Sequence, residues 1–163
     1  MILAAGALAS HFTLLGIDGR EYSLSGSLGG RPAVLVFFKT SCGTCDVAFP
    51  YINRLREAYP GDSWHLWAVS QDPPDRSIGY AQRHGITYPV LLDAPAFVVS
   101  KLYDPPATPT LFLVDSAARV AYSTYGFVKA DINELSRLLA AAIGEEAVVV
   151  AAAGDGRPDF KPG

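Results

Sequence analysis

Cys42 and Cys45 are the only cysteines of the chain, set three positions apart in the run Cys42-Gly43-Thr44-Cys45. Two sulfurs at this spacing can brace a fold, hold a metal, or pass electrons between dithiol and disulfide. A bond across so short a loop removes little entropy from the unfolded chain, which makes bracing a poor account of the pair. Structural zinc takes four protein ligands. Here no second cysteine pair follows, and His11, His65 and His84 are scattered rather than set at ligand spacing, so no metal is expected. Reversible oxidation fits best: a Cys42–Cys45 disulfide would itself carry the electrons, with no separate cofactor.

The elements around the pair decide how it could react. Residues 33–38, Ala-Val-Leu-Val-Phe-Phe, form a continuous apolar run rich in β-branched and aromatic residues, the pattern of a central strand covered on both faces. From Thr44 to about Tyr59 the period changes. Ala48, Ile52, Leu55 and Tyr59 recur on one helical face, with Pro50 inside the helix, where it removes a hydrogen bond and should kink it. The cysteines therefore stand where a buried strand hands over to a helix. Free N–H groups and the helix dipole favour negative charge at a first turn, and such sites lower thiol pKa values from ~8.5 to about 3.5–7.5. Cys42 is accordingly the expected nucleophile. Cys45, one turn on and pointing back toward the core, is the expected resolving thiol.

Elsewhere the patterns alternate between strand and helix. Segments 12–15 and 21–24 flank the turn Gly16-Ile17-Asp18-Gly19 and read as a hairpin, followed by a Gly-rich connection at 25–30. A strand is predicted at 64–70, a helix at 75–84 stopped by Gly85, a short strand at 88–92, and a short helix or turn at 96–102. Strands at 110–114 and 120–124 are close enough to pair. A last helix carries Ile132, Leu135, Leu138, Leu139 and Ile143; Asp131 and Glu134 resemble a capping box at its start, and Gly144 stops it. This order predicts an α/β fold, a central mixed β-sheet flanked by helices with an N-terminal β-hairpin. The division is a lead-in at 1–9, one domain at 10–144, and a tail at 145–163 expected to be partly extended and partly mobile.

Composition narrows the partners. At 163 residues the chain suits one domain, and 50% of it is apolar. A net charge of −3 supplies no basic field for nucleic acid or anionic lipid. No stretch reaches the ~20 apolar residues of a membrane helix. Residues 1–9 are apolar but lack a basic residue, and read as a lead-in to the first strand or as the remnant of a trimmed targeting segment. The compartment is extracytoplasmic if a signal or anchor was trimmed and cytoplasmic otherwise. A monomer is expected.

Two separated segments carry a family resemblance. Phe37-Phe38-Lys39-Thr40-Ser41-Cys42-Gly43-Thr44-Cys45, continuing to Phe49-Pro50, resembles the active-site segment of the thioredoxin superfamily. Ala107-Thr108-Pro109-Thr110-Leu111-Phe112 resembles the segment that carries its cis-proline. The openings Ser10-His11-Phe12-Thr13-Leu14 and Asp18-Gly19, with Val69-Ser70-Gln71-Asp72 and Tyr88-Pro89-Val90-Leu91-Leu92-Asp93, are similar to the TlpA/ResA-like, redoxin (AhpC/TSA-like) branch. The resemblance covers about residues 10–143. It implies a thioredoxin-like fold and thiol–disulfide exchange with protein disulfide or dithiol partners, replenished by an upstream electron donor. It also implies a cis Pro109 lying against the cysteines, Thr108 offering backbone groups to an extended substrate chain, and supporting roles for Ser41, Gly43, Thr44 and Lys39.

Three positions depart from the family pattern. Ser41 replaces a tryptophan, which makes that surface more polar. Val36 stands where thioredoxins carry a buried aspartate that helps move a proton from the second thiol. Lys39 replaces a small residue, either reaching toward Cys42 or snorkelling into solvent. Two other functions compete. A peroxiredoxin-like peroxidase needs a threonine or serine three residues before its reactive cysteine, and Lys39 occupies that place. A metal-delivery module on the same fold combines a longer cysteine spacing with a distant histidine, and neither is evident here.

Overall fold

In the computed structural model, which describes residues 1–163, the chain opens on the expected hairpin, β1 (Thr13–Leu15) antiparallel to β2 (Glu21–Ser23). The segment after it is not a plain connection. Leu24 and Leu28, four residues apart, are both buried and wind it into a single helical turn, α1 (Leu24–Leu28). The Ser23 hydroxyl caps that turn by accepting the Gly26 amide at 3.4 Å.

Next come β3 (Ala33–Phe38), α2 (Gly43–Ala58), β4 (His65–Ser70), α3 (Pro74–Arg83), β5 (Val90–Leu92), α4 (Val98–Tyr103), β6 (Thr110–Val114) and β7 (Val120–Tyr125). Their strands form one sheet in the order β5-β4-β3-β6-β7, parallel from β5 to β3 and antiparallel across β6 and β7. All six residues of β3 are completely buried, because alternate side chains enter different cores. Val34, Val36 and Phe38 pack with Ala48, Phe49, Ile52 and Leu55 of α2 and with Tyr80 of α3. Ala33, Leu35 and Phe37 face Phe12, Leu24, Trp67, Val99, Tyr103 and Phe112 on the other side.

Each sheet edge is met at one point by a neighbouring segment, which shortens the unpaired backbone of an open edge. The hairpin reaches β5 through a bridge between Gly16 and Leu91, and the lead-in reaches β7 through one between Leu8 and Arg119. No helix is long and apolar enough to cross a membrane.

β8 (Phe127–Val128) leads directly into α5 (Lys129–Ile143), which buries Ile132, Leu135 and Leu139 against the first core and ends at Gly144 with a positive φ of 74°. The capping box is not formed. The residue before the helix is Val128, which has no side chain to cap with, and Asp131 instead accepts the Thr124 hydroxyl at 2.7 Å from within the first turn.

The tail folds back rather than hanging free. Val150 and Ala151 are buried in the first core, and β9 (Phe160–Lys161) pairs antiparallel with β8. Lys129 holds the return path: its ammonium donates to Asp155 at 2.7 Å, to the Ala152 carbonyl at 3.0 Å and to the Arg157 carbonyl at 3.2 Å. Tyr51 of α2 adds a hydroxyl bond to Asp155. A lysine that is 5% exposed needs such partners, since an unpaired buried charge is costly.

The Lys129 ammonium and then the Tyr51 hydroxyl hold the Asp155 carboxyl well below its ordinary value of 3.8. The stability this adds is present above pH 3.8 and is lost as falling pH protonates the folded carboxylate. Lys129→Gln should lower the melting temperature and open residues 145–163 to proteolysis while the five-stranded sheet persists. The gap between the melting curves of variant and wild type should begin to narrow as pH falls below 3.8 and go on narrowing into stronger acid. A gap that stayed constant into acid would assign the stability elsewhere.

Candidate active site

Leaving β3, the chain turns through Lys39, Thr40 and Ser41 before α2 begins. The Thr40 amide donates to Asp72 at 2.7 Å, which ties this approach to the loop after β4. The Cys42 amide donates to the Lys39 carbonyl at 3.3 Å. Cys42 itself is the helix cap: its backbone is extended, and its sulfur accepts the Cys45 N–H at 3.2 Å, the bond that a serine or aspartate cap would make. The same sulfur meets the Thr108 carbonyl at 3.2 Å as a thiol donor. Lys39 and Ser41 are exposed, Cys42 is half-buried, Gly43 opens the helix, and Thr44 is buried.

Thr108 and Pro109 come to this point from the neighbouring strand, on the loop that enters β6, whose first residue Thr110 pairs with Phe37 at the end of β3. The Thr108–Pro109 bond is cis, as is Ala94–Pro95. The Thr110 hydroxyl closes the loop by donating to the Ala107 carbonyl at 2.6 Å. All eight predicted residues, Lys39, Ser41, Cys42, Gly43, Thr44, Cys45, Thr108 and Pro109, thus fall on two short segments joined by the Cys42–Thr108 contact.

The two thiols are unbonded and unequal. Cys45 has no exposed surface and belongs to the same core cluster as Val36, Phe38 and Phe49. Burial pushes its thiol far above the ordinary value of 9.0, and Cys42 pushes the same way, against weaker opposition from the Lys39 backbone and Thr108. Val36, lying under α2, supplies no acid to take the Cys45 proton. The polar groups nearest that side of the core are of another kind. The Tyr80 hydroxyl donates to Asp46 at 2.8 Å, and His84 stands 3.4 Å from the same carboxylate while its ring stacks on Tyr80. Burial pushes the Tyr80 phenol far up, with Asp46, Cys45 and Cys42 adding to it. No group of three or more His, Cys, Asp or Glu side chains gathers in metal-ligating geometry.

One part of the site was not expected. The Thr44 hydroxyl donates to the Pro162 carbonyl at 2.5 Å, which brings the tail to the first turn of α2. Gly163 lies against Ala107 and the Thr108 carbonyl. Gly126, at φ +70°, permits this approach: a Cβ there would stand 3.2 Å from the Gly163 nitrogen and the Lys161 carbonyl. No motif in 145–163 announces this contact, and its partners are 118 residues apart in sequence.

A mixed sheet with a half-exposed thiol capping a helix, a buried thiol one turn later and a cis-proline loop against the first defines a thiol–disulfide oxidoreductase of thioredoxin fold. The chain belongs to the AhpC/TSA family, whose model matches residues 5–123, and within it is TlpA/ResA-like. It is 31% identical over 134 residues to a thiol-disulfide oxidoreductase ResA of Geobacillus thermodenitrificans, covering 81% of this chain and 76% of that protein. A ResA of Geobacillus kaustophilus is 32% identical over 133 residues, covering 80% and 75%. Among solved structures, a putative thiol:disulfide interchange protein DsbE from Chlorobium tepidum superposes with a TM-score of 0.78 at 29% identity, covering 87% of this chain and 99% of that one.

The raised Cys45 thiol has a measurable consequence. Folding that raises a thiol pKa stabilises the protein below the unfolded value, and the gain is lost as pH rises above it. The reduced protein should therefore lose stability as pH climbs past 9.0, where the unfolded thiol ionises and the folded one does not. Alkaline unfolding of a Cys45→Ala variant, followed by circular dichroism, should lack this component. An unchanged slope would refute the assignment.

Proposed function

We propose that Cys42 and Cys45 form the redox centre and exchange disulfides with protein partners, Cys42 attacking and Cys45 resolving. The observation that carries this reading is the inequality of the two thiols across one helical turn. The outer sulfur receives an N–H from the helix and borders the Thr108 carbonyl, while the inner sulfur is sealed in an apolar core.

In the reductive direction, the Cys42 thiolate attacks one sulfur of a partner disulfide. A Cys42–partner bond forms, the partner's S–S bond breaks, and the other partner sulfur leaves as a thiolate. Cys45 then loses its proton and attacks Cys42 Sγ. The Cys42–Cys45 bond closes, and the second partner sulfur leaves and is protonated. The partner gains two electrons and the pair loses two. An upstream dithiol donor restores the pair by the reverse sequence, so the pair itself is the electron carrier and no separate cofactor enters.

Burial makes the second step selective. A Cys45 held as a thiol does not compete for incoming disulfides, and it becomes reactive when Cys42 Sγ is already bonded one turn away. Lys39, the residue three before Cys42, does not supply the hydroxyl that a peroxiredoxin uses there, which disfavours peroxide as the main substrate despite the family's breadth.

Reduction of insulin or a model disulfide should fall to the uncatalysed rate in Cys42→Ser. Cys45→Ser should instead accumulate mixed disulfides visible on non-reducing gels. A Cys45→Ser protein that trapped no partner, beside a wild type that exchanged no disulfide, would overturn the reading.

A further inference from the structure

The segment 155–163 lies beyond the residues that match the family model, yet it ends beside the cysteines. Its course is fixed from several points. Lys129 and Tyr51 hold Asp155, the Lys129 amide donates to the Asp159 carbonyl at 3.0 Å, and Lys161 is paired in register with Phe127. Past that pairing, Pro162 accepts the Thr44 hydroxyl. A side chain on Lys161 is therefore presented from a braced backbone rather than a loose end.

Its ammonium reaches the start of α2: a Cβ built on Gly43 would lie 3.5 Å from Lys161 Nζ. Gly43 is the residue next to Cys42. On the other side of Cys42 stands Lys39, exposed, its carbonyl bonded to the Cys42 amide. Neither lysine takes part in any of the molecule's ion pairs. The carboxylate nearest to Lys161 in sequence, Asp159, is directed to Lys129 at 3.3 Å instead. In a chain of net charge −3, an ammonium group with no ion-pair partner thus stands against Gly43, the residue next to the outer thiol.

We propose that Lys161 is a specificity-determining residue of the redox site, selecting partner polypeptides that carry a carboxylate beside their reacting cysteine. The inference rests on the exchange reading above and adds the partner's chemistry to it. A cation beside the residue next to the attacking sulfur attracts an acidic flank and repels a basic one, and complementary charge of this kind sets partner choice and encounter rate more than affinity.

The test uses the reduced 163-residue chain and two cystine peptides that differ only in Glu or Lys beside the attacked cysteine, with exchange followed by quenching and mass spectrometry. Wild type should react about two- to fivefold faster with the Glu peptide, the range that a solvent-facing ion pair provides. The preference should shrink as salt is raised. Lys161→Gln should narrow the gap between peptides, and Lys161→Glu should narrow it further or reverse it. An undiminished preference in both variants would overturn the inference. So would an equal acceleration on both peptides, which would make the tail a cover and not a selector. Exchange with neither peptide in wild type would instead undo the thiol–disulfide reading on which the inference stands.

Discussion

Strand β3 is buried along its whole length on both faces, and that burial governs where chemistry can occur. A strand sandwiched between two cores offers no side chain to solvent; the chain can present a reactive group only where it leaves the sheet. The first residues to leave are Lys39, Thr40 and Ser41, and the next is Cys42. The core packed on the even-numbered side of β3 also draws α2 down onto Val36 and Phe38, so that one turn of helix carries the next cysteine from the rim to the interior. The difference between the two sulfurs is thus a product of the packing that places the helix.

The same packing removes water and charge from the neighbourhood of Cys45. Val36 makes that neighbourhood more apolar than a buried aspartate would, and the polar triangle of Tyr80, Asp46 and His84 lies at the margin of the helix. The inner thiol is consequently held in its protonated form by desolvation, whereas the outer one meets hydrogen-bonding groups on two sides. These are opposite environments within a single helical turn.

Much of this arrangement could be read from local sequence. The apolar run at 33–38, the helical period after Thr44 and the turn at 16–19 each reflect short-range physics, and the Cys42–Cys45 spacing speaks for itself. What escaped reading depends on partners far along the chain. Leu24 and Leu28 make a helix of a Gly-rich connection only because a core awaits them. Asp131 resembles a cap, but Thr124 claims its carboxylate. The tail, a run of Ala and Val followed by Gly, Pro and Asp, has no period of its own; its path follows from Lys129 and from the opening left by Gly126. A glycine with positive φ carries no sign in sequence of what will approach it.

The Lys129 anchor ties the fate of two segments together. Lys129 is the first residue of α5, while the groups it binds belong to residues 152–159, so the helix cannot fray from that end without releasing the tail, and the tail cannot lift without uncovering a charge. Segments 127–143 and 145–161 are therefore expected to open together. The tail amides that are bonded into the body of the protein, Val150 and Ala151 to Asn133, should exchange with solvent as slowly as those of the helix that holds them.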